Sequence, residues 1–140
     1  MSDGAAAACA LRPVRREDAA AWLRLREALW EGDDHAAEIA RFFAGTLDEP
    51  QQVLLAVAPS GEPVGHVELS IRTDVAGLKG VVTGYIEGLY VAPSHRASGL
   101  VRRLLRASED WARAQGCRAF ASDRDDRVVV HAAFASPGAG

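Results

Sequence analysis

The feature that leaves this chain the fewest folds is residues 81–122, where a β-rich run, a helix and a second β-rich run follow one another. VVTGYIEGLYV (81–91) has the β-branched and aromatic content of a strand, and Pro93 closes it. Over residues 99–116, Leu100, Val101, Leu104, Leu105, Ser108, Trp111 and Ala112 share one helical stripe. Arg102, Arg103, Arg106, Glu109, Asp110 and Arg113 share the other, and Gly116 fits the position that ends the helix. CRAFAS (117–122) then reads as a short strand. Strand, crossover helix and strand in this order make a parallel, right-handed βαβ unit. Gly84 and Gly88 inside the first strand mark a bulge or a close backbone approach.

The rest of the chain reads as helices and antiparallel strands. Residues 9–15 suit an edge strand, since Pro13 has no N–H to give a central ladder. Acidic Glu17 and Asp18 start a helix that carries Trp22, Leu25 and Leu29 and runs to Trp30. After the acidic break 31–34, Ile39, Phe42 and Phe43 define a second helix over 35–44. QQVLLAVA (51–58) and PVGHVELSIR (63–72) flank Ser60-Gly61-Glu62 as a hairpin, and the polar loop 74–80 leads into the strand at 81. The apolar run 128–134 fits more than one element. Residues 1–8 read as a flexible leader and 135–140 as a flexible tail, around one domain over 9–134.

Composition narrows the function classes. With 49% hydrophobic and 25% charged residues the chain suits a packed core, and 140 residues suit one of them. Sixteen Lys and Arg against 19 Asp and Glu argue against a general nucleic-acid binder, and no apolar run reaches the length of a membrane span. Cys9 and Cys117 show no metal spacing, and His35, His66, His95 and His131 are scattered, so no metal is expected. The expected compartment is the cytoplasm.

Chemistry concentrates at VAPSHRASGLVRRLL (91–105). A strand that ends and a helix that opens there aim the N–H groups of residues 96–102 out of a helix start, a site for phosphate oxygens. Gly99 permits close approach, and Arg96, Arg102 and Arg103 add positive charge. This segment resembles the acyl-CoA pyrophosphate loop of the GCN5-related N-acetyltransferases, R/Q-x-x-G-x-G/A, with Arg96 and Gly99 in place and Val101 where a small residue is usual. LREALW (25–30), GHVELSIRTD (65–74), IEGLYV (86–91) and GCRAFASD (116–123) resemble the type I aminoglycoside 6′-N-acetyltransferases of that superfamily.

The resemblance implies an α+β fold: a central, mostly antiparallel sheet with one parallel βαβ crossover and helices on both faces. It also implies acetyl transfer from acetyl-CoA to the 6′-amino group of aminoglycosides in a ternary complex. Leu89, Tyr90, Val91, Arg96, Ala97, Ser98, Gly99, Leu100, Val101 and Arg102 would then hold acetyl-CoA. Trp30, Glu87 and Asp123 would bind the antibiotic, and Glu87 as the first choice, or Asp123 as the second, would take the proton from the amine. Strand alternation puts Tyr85, Glu87, Leu89 and Val91 on one face. Other readings stay open: Glu87 as a structural acid paired to an arginine, Asp123 as a turn cap, Trp30 as core. Asp33, Asp34, Asp125 and Asp126 would extend a negative field that attracts a polycation.

Three departures qualify the resemblance. Val75 follows Asp74 where the family carries an aromatic, which removes one wall of the antibiotic site. No asparagine follows Asp123 over residues 124–130. HAAF (131–134) resembles the start of the family's last helix, with the final strands missing or supplied by a partner, which suggests a homodimer. An acceptor such as a polyamine or other small amine, or an inactive CoA-binding or oligomeric remnant, are the alternative expectations.

Overall fold

The computed structural model describes residues 8–32 and 34–134, so the tail, Asp33 and all but the last residue of the leader lie outside the described residues. One sheet of six strands runs in sequence order: β1 (Ala10–Pro13), β2 (Gln52–Val57), β3 (Pro63–Arg72), β4 (Thr83–Val91), β5 (Ala119–Arg124) and β6 (Arg127–Ala133). The pair β4–β5 is parallel and the other neighbours are antiparallel. Helix α3 (Leu100–Ala114) is the crossover. Helices α1 (Ala19–Leu29) and α2 (His35–Ala44) lie on the opposite face. The expected α+β architecture is therefore the observed one.

Alternation along β3 sorts the two layers. Val67 and Leu69 pack with Leu100, Leu104 and Phe120 under α3, whereas Glu68 between them points to Trp22 and Arg26 of α1. Helix α3 rides close to the sheet because position 84 is glycine: a Cβ there would lie 2.5 Å from the Cβ of Ala112. β1 is an edge strand, as Pro13 requires, and Arg12 reaches from it to both oxygens of Asp18 at 2.7 and 3.0 Å. That contact holds the Asp18 carboxyl below its ordinary range and ties the edge to the start of α1.

The structure corrects one sequence expectation in this region. Residues 131–134 do not open a helix: Asp125 and Asp126, both at positive φ (49° and 65°), make a two-residue turn that returns the chain as β6. Aspartate tolerates that backbone region better than most residues. The apolar run resolves as a strand because β5 offers it a ladder, in which Val128, Val129 and Val130 lie opposite Asp123, Ser122 and Ala121.

Glu68 is fully buried, and its carboxylate is nevertheless satisfied. It accepts hydrogen bonds from Trp22 Nε1 (3.0 Å), Arg26 Nε (2.9 Å), Arg26 Nη2 (3.0 Å) and His66 Nε2 (3.0 Å). Burial alone would raise this carboxyl. The hydrogen bonds and charge of His66 and Arg26 outweigh burial and bring it from an ordinary 4.5 to about 2. A carboxyl depressed on folding contributes stability that is complete above its unfolded value and fades as pH falls from about 4.5 toward 2. Glu68→Gln should therefore lower stability by about 3 kcal/mol near neutral pH, because Arg26 loses its buried counterion. Urea unfolding between pH 7 and 2.5 should also show a weaker acid dependence than in the parent chain.

Candidate active site

Two irregularities in β4 create the site. Glu68 pairs with Gly88 and Leu69 with Ile86, so Glu87 is an extra residue, a bulge without a partner on β3. The bulge breaks the simple alternation expected from sequence. Leu89 and Val91 join the core under α3, while Tyr85 packs with Val75 and Ala121 in a separate cluster. The second irregularity is on the other side: β5 pairs with β4 only from Thr83–Ala119 to Ile86–Ser122, after which the two strands part. A cleft of about 300 Å³ opens there, lined by Glu87, Gly88, Leu89, Leu105, Ser122 and Asp123 among others.

Leu105 also lines a second hollow of about 350 Å³ with Ala97, Gly99, Val101 and Arg102, at the start of α3. The loop reaches it through a 3₁₀ turn (Pro93–His95) and two left-handed residues, Ala97 (φ 65°) and Gly99 (φ 84°). Gly99 is required by its backbone conformation, for a Cβ there would meet nothing within 4 Å. As N-cap it brings no side-chain acceptor to the first N–H groups of α3, which leaves them for an anion.

The three arginines expected at this loop separate. Arg102 is exposed and lines the hollow. Arg96 donates through Nε to the Val91 carbonyl (2.8 Å) and lies over the Tyr90 ring, and Arg103 donates to the Cys9 carbonyl (2.9 Å). Arg96 and Arg103 thus brace the loop and helix, so the positive charge falls to Arg102 and the helix start. Leu100 is buried in the core, and the Ser98 hydroxyl donates to the His95 carbonyl. Tyr90 packs on the α1–α2 face, so it meets the cleft through backbone at most.

At the other end the site is acidic. Trp30 follows α1 and its ring lies against β4 because position 88 is glycine: a Cβ there would be 2.5 Å from the indole. Arg26 stacks over that ring at 5.2 Å, and His35 donates through Nε2 to the Trp30 carbonyl at 3.1 Å. Trp30 is half-buried and lines a hollow of about 240 Å³ with Arg26, Glu49, Pro50, Glu68 and Glu87. It is a wall rather than core. His35 and Glu38 face Arg26 from α2, and among the described residues no group of three His, Cys, Asp or Glu is set to hold a metal ion.

Glu87 is paired within its own chain. Arg72 donates to it through Nε and Nη2, both at 2.8 Å, and through Nη2 also to Glu49 at 2.8 Å. The same carboxylate lines both hollows. Asp123 accepts a hydrogen bond from the Tyr85 hydroxyl at Oδ1. Burial and that bond to Asp123 push the Tyr85 phenol up, so it remains a donor at neutral pH. Asp125 and Asp126 form the adjacent turn, and Asp34 caps α2 through a 3.2 Å bond from the Ala37 N–H.

Arg72, Glu49 and Glu68 were not singled out from sequence. Arg72 and Glu68 lie in GHVELSIRTD, where alternation aligns His66, Glu68 and Ser70 on one face, an available signal for a polar layer. Glu49 gave none, because only the fold brings it to Arg72. Val75, expected to leave a wall missing, is buried against Tyr85 and Ala121 and does not line the site. Ser122 Oγ lies 2.7 Å from His131 Nε2 inside the cleft.

The two hollows that meet at Leu105 suit a ligand with an anionic group at the α3 start and a reactive end beside carboxylates that attract a cation. Residues 18–135 match the Acetyltransferase (GNAT) family, and the chain belongs to that family. A type 1 aminoglycoside N(6′)-acetyltransferase from Klebsiella aerogenes is 44% identical over 116 residues, 81% of this chain and 76% of that protein. One from Stenotrophomonas maltophilia is 41% identical over 136 residues, 95% of this chain and 87% of that protein. Among solved structures, the apo aminoglycoside 6′-N-acetyltransferase from Acinetobacter haemolyticus aligns with a TM-score of 0.73 at 33% identity, covering 83% of this chain and 79% of that one. The acetyltransferase AAC(6′)-Iy bound to a bisubstrate analogue, CoA-S-monomethyl-acetylneamine, aligns equally well at 30% identity, covering 84% and 80%.

A substitution separates charge from shape at the loop. Position 99 has room for a side chain, but its φ of 84° strains any residue other than glycine. Gly99→Asp should lower the thermal unfolding midpoint and weaken CoA about tenfold or more by calorimetry, a loss of about 1.4 kcal/mol, whereas Gly99→Asn, which carries the backbone strain without the charge, should lower the midpoint similarly and lose less CoA affinity. Unchanged affinity would remove the α3 start as the phosphate site.

Proposed function

We propose that this chain transfers the acetyl group of acetyl-CoA directly to the 6′-amino group of aminoglycosides. The carrying observation is a pair of hollows that share Leu105 as a wall, one at the uncapped start of α3 and the other at the Glu87 and Asp123 carboxylates where β4 and β5 part. Relatives at 44% and 41% identity bear the same activity in their names, and a structural neighbour binds an analogue joining both substrates. Acetyl-CoA supplies the acetyl group as an activated thioester.

The chain's residues divide the remaining work. The N–H groups at Leu100, Val101 and Arg102, with the Arg102 charge, hold the phosphates, while Ala97, Ser98 and Gly99 shape the turn and Arg96 braces it. The backbone of Leu89, Tyr90 and Val91, freed from β5, lies along the cleft as a source of donors for the thioester carbonyl. Trp30 forms the wall for the sugar ring, and Glu87 binds ammonium. An amine must lose its proton before it attacks the thioester carbonyl, after which the C–S bond breaks as the C–N bond is kept and CoA leaves as the thiolate, which takes up a proton. Arg72 occupies both oxygens of Glu87, whereas among the described residues Asp123 Oδ2 has no partner, so Asp123 takes the proton, directly or through water. Acetylation turns an ammonium into a neutral amide and so weakens a drug that binds RNA phosphates, which is resistance.

We place the enzyme in the cytoplasm. Its assembly is a homodimer through β6, an edge strand whose Val130 is 49% exposed. Among the described residues no helix is long and apolar enough to cross a membrane. Sedimentation of a single monomeric species at high concentration would refute the dimer.

The test is thiol release from acetyl-CoA over a panel of aminoglycosides and polyamines. Turnover confined to drugs with a 6′-amino group is the expected result. Turnover with polyamines alone would change the acceptor, and CoA binding without turnover would mark a remnant. Asp123→Asn should lower kcat about a hundredfold with little change in CoA affinity. Glu87→Gln should chiefly raise the aminoglycoside KM.

A further inference from the structure

The bulge that exposes Glu87 also removes its ladder partner, so the strand alone does not fix where this carboxylate points. Arg72, the last residue of β3, does. Its Nε and Nη2 each reach a different oxygen of Glu87 at 2.8 Å, a fork that fixes the carboxylate plane as well as its position. The guanidinium lies 4.8 Å from the centre of the Tyr85 ring, and the Tyr85 hydroxyl donates to Asp123. Glu49 accepts from Nη2 on the far side, so Arg72 is itself held between two carboxylates. One guanidinium therefore touches the first site carboxylate and the aromatic that carries the second.

We infer that Arg72 is a positioning residue that sets the separation of Glu87 and Asp123, and thereby the spacing of the ammonium groups the site accepts. This rests on the aminoglycoside reading above. Arg72 touches neither substrate; it acts through Glu87 and Tyr85. Lysine is a poor substitute, because a single ammonium lacks the planar fork that engages both oxygens of Glu87 while also reaching Glu49. The charged groups around Glu87 are Glu49 from the segment before β2, Glu68 and Arg72 from β3 and Arg26 from α1. Tyr85 on β4, Asp123 and Arg124 on β5 and His131 on β6 complete the set.

A double-mutant cycle of Arg72→Gln and Glu87→Gln tests the assignment. Arg72→Gln should raise the aminoglycoside KM about tenfold and leave the acetyl-CoA KM unchanged. It should also flatten the preference among aminoglycosides of different amine spacing. In the Glu87→Gln background the same change should add less than twofold, and Arg72→Lys should recover only a small part of the loss. An unchanged KM, equal losses in both backgrounds, or full recovery with lysine would overturn the inference. If Arg72→Gln lowers the unfolding midpoint too far for assay, Arg72→Lys carries the cycle. Calorimetric binding of kanamycin reads the same coupling without turnover. An inactive parent chain would therefore fail the proposed function, while the binding cycle still decides the role of Arg72.

Discussion

The interaction on which the rest of this structure depends is a charge with no access to water. Glu68 sits in the middle of β3, in the centre of the sheet, where an unpaired carboxylate would cost several kcal/mol. Trp22 and Arg26 supply its partners from α1, so the helix has one favourable position over the sheet. Arg26 continues the network to Glu38 and His35 of α2 and lies over Trp30. The buried ion pair therefore places the aromatic wall of the site. The glycine at position 88 lets that wall meet the strand beside Glu87.

The candidate site arises where regular structure stops. A sheet that paired β4 with its neighbours along its full length would have neither a projecting Glu87 nor a free backbone beyond Ile86. The bulge against β3 and the parting from β5 occur within two residues of each other, so the carboxylate and the open end of the cleft coincide. Helix α3 links the two hollows, because it is the crossover between the parting strands and its Leu105 lines both. Its burial against Val67, Leu69 and Phe120 keeps the helix start in place.

Much of this was legible from short-range pattern. The helical stripe of α3, the limits of β3 and the glycine at the α3 start come from periodicity and backbone preference, which depend on neighbours within a few residues. The identities of Glu87, Asp123 and Trp30 as site residues came from resemblance, and the structure brings them around one pair of adjoining hollows. The partner of Glu87 was not readable. Arg72 is 15 residues away in sequence, and a guanidinium at a strand end is usually a solvated charge until a bulge turns a carboxylate toward it. Residues 128–134 misled for a related reason, because a short apolar run takes the conformation of whatever ladder or face is offered to it.

The sequence by itself determined the order of elements, the parallel crossover and the glycine-led start of α3, since hydrophobic period, proline and glycine act locally along the chain. Tertiary structure alone decided the electrostatics of the site: which arginine holds Glu87, which ones brace the loop, and why Glu68 is ionised at the centre of the sheet. These depend on distances between residues far apart in sequence. Charge interactions in a poorly solvated interior are set by those distances and by burial, neither of which a local pattern encodes.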